Sequence, residues 1–181
     1  LKGQLNAELC CLITNNSKSY SIERAKNTGM KFYHISSVTH PDEIERDHAI
    51  IDALKKNGAD TIVLAGYMKK ISQKVIESVG GRVLNIHPAL LPKFGGEGMY
   101  GMNVHKAIIE AGEKESGASI HLVDSEYDRG RVIAQMKVEV SDDDTPDTLA
   151  DKVLKIEHIL YSDTLIKISN GEITIPWKHY D

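Results

Sequence analysis

With 181 residues, the chain is long enough for one compact unit and too short for a multidomain assembly, at roughly 100 to 200 residues per domain. Its 41% hydrophobic and 27% charged residues can build an ordinary core, which excludes a disordered tail. Lys and Arg number 22 against 26 Asp and Glu, a net charge of −4, so no global field favours nucleic acid or an anionic bilayer as a partner.

The first apolar run, Leu9 to Ile13, contains both cysteines, Cys10 and Cys11. A strand over Glu8 to Ile13 sends their side chains to opposite faces, where they cannot pair, and predicts core thiols of a reducing compartment. No stretch approaches the roughly 18 apolar residues of a membrane helix, and the start lacks the pattern of a secretory signal, so the expected location is the cytoplasm. A second strand is predicted over Lys31 to Ile35. Pro41 and Asp42 then open a helix with Ile44, Ile51 and Leu54 on one side, and Asn57-Gly58 closes it. Strands at Thr61 to Leu64 and Arg82 to Ile86 precede a helix from about Val104 to Ala111 that Gly112 stops. Two further strands, Ser119 to Val123 and Ile133 to Val140, lead to a last helix. Thr145 caps that helix, Pro146 fits its first turn, and Leu149, Val153, Ile156 and Leu160 form its apolar stripe. Short β-rich runs alternating with helical ones predict an α/β protein with a mostly parallel sheet. No repeat or low-complexity linker divides it, so a single domain over residues 1–181 is expected.

Ligands of open α/β sheets collect beyond the carboxyl ends of the strands. The exit at Arg82 to Ile86 reads Asn85-Ile86-His87-Pro88-Ala89-Leu90-Leu91-Pro92, and a period of two puts Asn85 and His87 on the same side. An amide can donate to a carbonyl becoming an oxyanion, and an imidazole can donate when protonated or relay a proton when neutral, a pair suited to acyl transfer. Pro88 and Pro92 end the strand just past it. Spacing alone fits equally well a turn-forming Asn85 and a structural His87. A second exit, Asp124-Ser125-Glu126-Tyr127-Asp128-Arg129-Gly130, could deliver the Asp128 carboxylate to the same edge to hold His87 as imidazolium and order a water. An acidic solvated turn is the plainer reading of that segment. The glycines of Phe94 to Gly101 could cradle a phosphate, but the P-loop ending and a directly preceding strand are missing, so an active-site loop is expected. The scattered histidines match no zinc spacing, and no metal is expected.

Asn85-Ile86-His87-Pro88-Ala89-Leu90-Leu91-Pro92, the strand Gly117-Ala118-Ser119-Ile120-His121-Leu122-Val123 and Asp128-Arg129-Gly130 together closely resemble the folate-dependent formyltransferases. Supporting likeness lies at Ser21 to Ala25, Val63 to Met68 and Ile156 to His158, so it extends from about Leu9 to Ile168. The resemblance implies a Rossmann-like, mostly parallel open sheet flanked by helices. It also implies transfer of a formyl group from 10-formyltetrahydrofolate to the amine of glycinamide ribonucleotide in purine biosynthesis. By that likeness Asn85, His87 and Asp128 are catalytic. Asn85 and protonated His87 face the oxyanion, while Asp128 holds His87 and relays protons through water. The folate pocket maps onto Tyr67, Met68, Lys69 and Ile71, onto Asn85, and onto the backbone of Val123, Asp124, Ser125, Glu126, Tyr127 and Asp128. Glu157 matches the position that holds the nucleotide substrate.

Two departures qualify the resemblance. Members of the family begin with a strand, a phosphate-binding loop and a helix that this chain lacks, so the domain is expected to be N-terminally incomplete. The missing strand would lie mid-sheet, leaving a gap between the strands at Glu8 to Ile13 and Thr61 to Leu64, with each buried unpaired backbone group costing about 1 to 3 kcal/mol. The loop Gly95 to Gly101, with Glu97, Met99 and Tyr100, is longer than usual. Relatives that formylate methionyl-tRNA or that deliver the formyl group to water share much of this core and are alternatives, as is a non-catalytic folate or nucleotide binding module. Pro88 after His87 weighs against the water-using relatives, and the charge of −4 against the tRNA enzyme.

Overall fold

A computed structural model describes residues 5–178. In chain order the elements are β1 (Leu12–Thr14), α1 (Tyr20–Thr28), β2 (Phe32–His34), α2 (Glu43–Lys56), β3 (Ile62–Leu64), α3 (Gln73–Ser78), β4 (Val83–His87), α4 (Met102–Glu110), β5 (Glu115–Leu122), β6 (Val132–Glu139) and α5 (Pro146–Ser169). Their ends follow local chemistry. The Asp42 carboxylate accepts from the Glu45 amide at the start of α2, and Thr145 and Thr148 form a reciprocal capping box at the start of α5, each satisfying helix donors that have no intrahelical partner. Two helices escape the periodicity reading. α1 is capped by Ser19 and ends on a left-handed Gly29, and the six-residue α3 is capped by Ser72.

β1 and β2 pair in parallel, as do β3 and β4, whereas β5 joins β4 and β6 antiparallel in a four-stranded sheet ordered β3-β4-β5-β6. Among the described residues β1 and β3 form no ladder, and Val63 on β3 is left 40% exposed. The closed sheet that would contradict an open position between these two strands is therefore not found.

β1 is shorter than expected. It starts at Leu12, so Cys10 and Cys11 precede it as half-buried free thiols rather than core residues. Burial, with the neighbouring Cys10, pushes the Cys11 thiol up to about 11. β5 begins four residues before its expected start and stops at Leu122.

The core is two-sided about β4, because successive side chains of a strand point to opposite faces. Val83 packs with Ile50, Leu54, Val75 and Ile76 from α2 and α3, and its neighbour Leu84 packs with Val104, Ile108, Ile120, Leu149 and Val153 from α4, β5 and α5. Both Val83 and Leu84 have no exposed surface, so β4 is gripped from both faces and its exit is fixed in space. The turn beyond it is held by one buried hydroxyl. Ser119 Oγ donates to Ala89 O (2.5 Å) and accepts from Leu91 N (3.0 Å) and Gln135 Nε2 (2.8 Å), while Gln135 also donates to Leu91 O (3.0 Å). Ser119 is fully buried, so removing its oxygen takes this partner from the Leu91 amide and the Ala89 carbonyl, both on buried residues. Ser119→Ala is expected to lower unfolding free energy by about 1 to 3 kcal/mol, read as a reduced urea midpoint with the m-value unchanged.

Candidate active site

The exit of β4 carries the chemistry. Asn85 and His87 lie on one face of that strand, and the antiparallel register sets His121 of β5 opposite Asn85 and Ser119 opposite His87. The loop between β5 and β6 then brings Asp128 over the pair. Its carboxylate faces two imidazoles, with Oδ2 3.5 Å from His87 Nδ1 and Oδ1 3.4 Å from His121 Nε2. The Gly96 amide donates to Oδ2 at 3.0 Å, and Asn85 Nδ2 lies 3.2 Å from His121 Nε2. On its other side His87 places Nε2 2.7 Å from Phe94 O. A carbonyl can only accept, so that ring nitrogen carries hydrogen.

Phe94 and Asp128 are the two non-glycine residues with positive φ among the described residues, at 55° and 56°, and both touch His87. Such backbone costs of order 1 to 3 kcal/mol at a non-glycine and persists only where surroundings impose it, often at functional sites. Here it aims a carbonyl and a carboxylate at one ring. His87 is 3% exposed. Burial pulls its pKa below the ordinary 6.5, with the Asp128 charge and the Phe94 carbonyl opposing the fall and His121 adding to it. For Asp128 burial pushes upward, but the facing ring of His121, the Gly96 amide and the ring of His87 outweigh it, so the carboxyl sits below its usual value and is ionised at neutral pH. An ionised acid beside a nearly neutral, buried imidazole can accept, hold and return a proton.

The other expected site residues are distributed around this centre. In the turn after β3, Ile71 points into the core with Val75 and Ile76, and Tyr67 packs on the same cluster with Val123. Met68 and Lys69 are exposed. Thus Met68 and Lys69 are free to meet a ligand, and Ile71 shapes the turn from below. In the β5–β6 loop the Val123 amide is taken by Val83 O (2.8 Å) and the Glu126 amide by the Asp124 carboxylate (3.0 Å), while Ser125, Glu126 and Tyr127 are exposed. The two loops meet where Lys70 Nζ rests 5.5 Å from the centre of the Tyr127 ring. Glu157 is half-buried on α5, its carboxyl raised by burial with partial relief from His158. One helical turn later the Tyr161 hydroxyl lies 3.0 Å from both Leu64 O, at the end of β3, and Leu84 O, near the start of β4, so this face of α5 rests on the two adjacent strands. The glycine-rich loop is tied down by the Gly96–Asp128 bond and by Asn103 Nδ2 donating to Gly98 O (3.1 Å). With the Gly96 amide engaged, it serves the acid rather than offering an empty anion cradle. Among the described residues no group of three or more His, Cys, Asp or Glu side chains could hold a metal ion.

A family model described as formyl transferase matches residues 1–165. The chain belongs to the formyl transferase family. It is 40% identical over 177 residues to the chloroplastic phosphoribosylglycinamide formyltransferase of Arabidopsis thaliana, covering 97% of this chain and 60% of that protein. The enzyme of the same name from Vigna unguiculata is 41% identical over 160 residues, covering 88% of this chain and 51% of that one. The chain thus spans between about half and three fifths of the length of these two relatives. The crystal structure of phosphoribosylglycinamide formyltransferase from Bacillus halodurans superposes with a TM-score of 0.83 at 35% identity, covering 92% of this chain and 83% of that one.

Three contributors to this candidate site have no individual role in the sequence reading, although Phe94 and Gly96 fall in the expected active-site loop. His121 reads there only as a strand residue, although polar Ser119 and His121 alternating with Ile120 in an otherwise apolar run is a signal that one face meets polar neighbours. Phe94 and Gly96 act through main-chain atoms, which residue identity does not encode. The electrostatics are testable by NMR titration of the histidines. His87 is expected to titrate below 6.5. Asp128→Asn should move it lower still, because the charge that favours imidazolium is removed while burial remains. A value that stays put or rises in the variant would show that the carboxylate does not sense this ring.

Proposed function

We propose that the chain transfers a formyl group from 10-formyltetrahydrofolate to the primary amine of glycinamide ribonucleotide. The observation that carries this reading is the convergence of Asn85, His87 and Asp128 at one strand exit, in a chain whose relatives are named phosphoribosylglycinamide formyltransferases. The amine attacks the formyl carbon and the carbonyl electron pair moves onto oxygen. An N–H of the Asn85 amide and a proton on His87 Nδ1 meet that oxyanion. His87 Nε2–H is already donated to Phe94 O, so Nδ1, facing Asp128, is the nitrogen that carries the working proton. Burial keeps Nδ1 bare at rest; it takes up, through the water ordered by Asp128, the proton released by the attacking amine, and the negative charge growing beside the ring holds that proton there. The attacking nitrogen loses its proton to a water ordered by Asp128. That proton passes on to N10 of the folate, the oxyanion re-forms the carbonyl as the C–N10 bond breaks, and formylated nucleotide and tetrahydrofolate leave. No covalent bond to the protein forms and no metal takes part.

In this reading Met68, Lys69 and the Tyr67 side chain border the folate, together with the backbone of the Asp124 to Asp128 loop, and Glu157 receives the nucleotide through its ribose hydroxyls. The partners are small molecules, and the adjacent thiols of Cys10 and Cys11 fit a reducing compartment such as the cytoplasm. Among the described residues no helix is long and apolar enough to cross a membrane.

Supplying the full chain with both substrates tests the assignment. Asn85→Ala and His87→Ala are each expected to lower kcat about 10²- to 10³-fold, as for loss of an oxyanion donor, and Asp128→Asn about 10²- to 10⁴-fold, as for loss of a positioned proton acceptor. Undiminished turnover in all three variants would discard the mechanism. Formate released without the amine substrate would make water the acceptor instead.

A further inference from the structure

The mechanism leaves one member of the cluster without a role. His121 is 2% exposed, and its ring touches Asn85, Asp128 and its own strand's backbone. Its Nδ1 lies 2.9 Å from Leu122 O. That carbonyl has no hydrogen to offer, so Nδ1 must be the donor. In the neutral ring Nε2 is then a bare acceptor. The group in hydrogen-bonding position before it is the Asn85 amide nitrogen at 3.2 Å. The Asp128 oxygen, at 3.4 Å, is well beyond the roughly 2.7 to 2.9 Å of a charge-assisted hydrogen bond.

We infer that His121, held as its Nδ1–H tautomer by Leu122 O, is a positioning residue that fixes which end of the Asn85 carboxamide faces the reacting centre. A primary amide nitrogen has two hydrogens. One goes to His121 Nε2, and the other stays available for the formyl oxygen. The turned amide would set Asn85 Oδ1 against the bare lone pair of Nε2, so the neutral tautomer excludes it. The polarity of the site is thereby dictated from the strand backbone through a side chain that never meets substrate. Because the ring is buried and its register partner on β4 is Asn85 itself, no solvent competes for the bond.

The inference rests on the proposed formyl transfer, and two measurements separate the two ideas. In the kinetic one, His121→Phe removes the acceptor while keeping a ring. It is expected to lower kcat about 10²-fold, the scale of a misoriented catalytic group, with KM for both substrates nearly unchanged. His121→Gln, whose side-chain oxygen can accept from Asn85 and whose nitrogen can donate to Leu122 O, should recover most of the loss. In an Asn85→Ala background His121→Phe should cost nothing further, since it acts through the missing amide. Wild-type kcat in His121→Phe, or additive losses in the double variant, would overturn the inference. The second measurement needs no activity: nitrogen-15 NMR of the wild-type full chain should show His121 with Nδ1 protonated and Nε2 bare. A protonated Nε2 in the resting protein would overturn the inference, also if His121→Phe fails to fold. A wild-type chain that forms no formylated nucleotide would instead overturn the proposed function and leave the NMR result to decide the role of His121.

Discussion

A lone carboxylate facing two buried imidazoles organises this molecule. Asp128 is almost entirely withdrawn from water, its side chain 11% exposed, and an ionised acid is tolerated there only because the surroundings answer its charge. Gly96 contributes an amide hydrogen, and His87 and His121 flank the carboxylate at 3.5 and 3.4 Å. Each of these demands a particular backbone. The glycine-rich loop must fold down, the acid must adopt a left-handed conformation, and β5 must run antiparallel to β4 so that His121 lands beside Asn85. The antiparallel half of an otherwise parallel arrangement is therefore tied to the chemistry. A parallel crossover at this point would carry the chain away from the strand exit instead of returning a loop to it.

How far the sequence can be read depends on which atoms do the work. Where side chains signal through periodicity or capping, the reading holds: α2 opens at Asp42 and ends at Asn57, α5 starts behind Thr145, and β4 ends at His87 just before Pro88. Asn85 and His87 could be placed together because a strand has a period of two, and the likeness to formyltransferases added Asp128. Their relation to His121 was out of reach, since strand register is a tertiary property set by packing between Leu84, Ile120 and the helices above them. The Phe94 carbonyl and Gly96 amide were hidden for a different reason, as any residue has these groups and only the local φ decides where they point.

Elements of marginal length were also missed or misjudged. α1 and α3 are short, and their starts rest on single serine caps, Ser19 and Ser72. α1 buries only Ala25, and α3 only Val75 and Ile76, too few apolar positions for a period to stand out, whereas α4, as long as α1, shows Val104, Ile108 and Ala111 on one face. In the same way the apolar run at Leu9 to Ile13 suggested a strand that begins only at Leu12, because apolar character marks where a strand is possible while pairing with a neighbour decides where it forms. Cys10 and Cys11 consequently lie outside the ladder and only half within the protein.

Tyr161 acts as a mechanical tie. Its hydroxyl owns a single hydrogen yet sits equidistant from the last carbonyl of β3 and the Leu84 carbonyl of β4, so the longest helix is pinned to two adjacent strands by one atom. Glu157 rides on the same helix face four residues earlier. The seat proposed for the nucleotide and the strand that presents Asn85 are therefore parts of one stiff bracket, and the span between them is built into the scaffold like a fixed gauge rather than adjusted by whichever molecule arrives first.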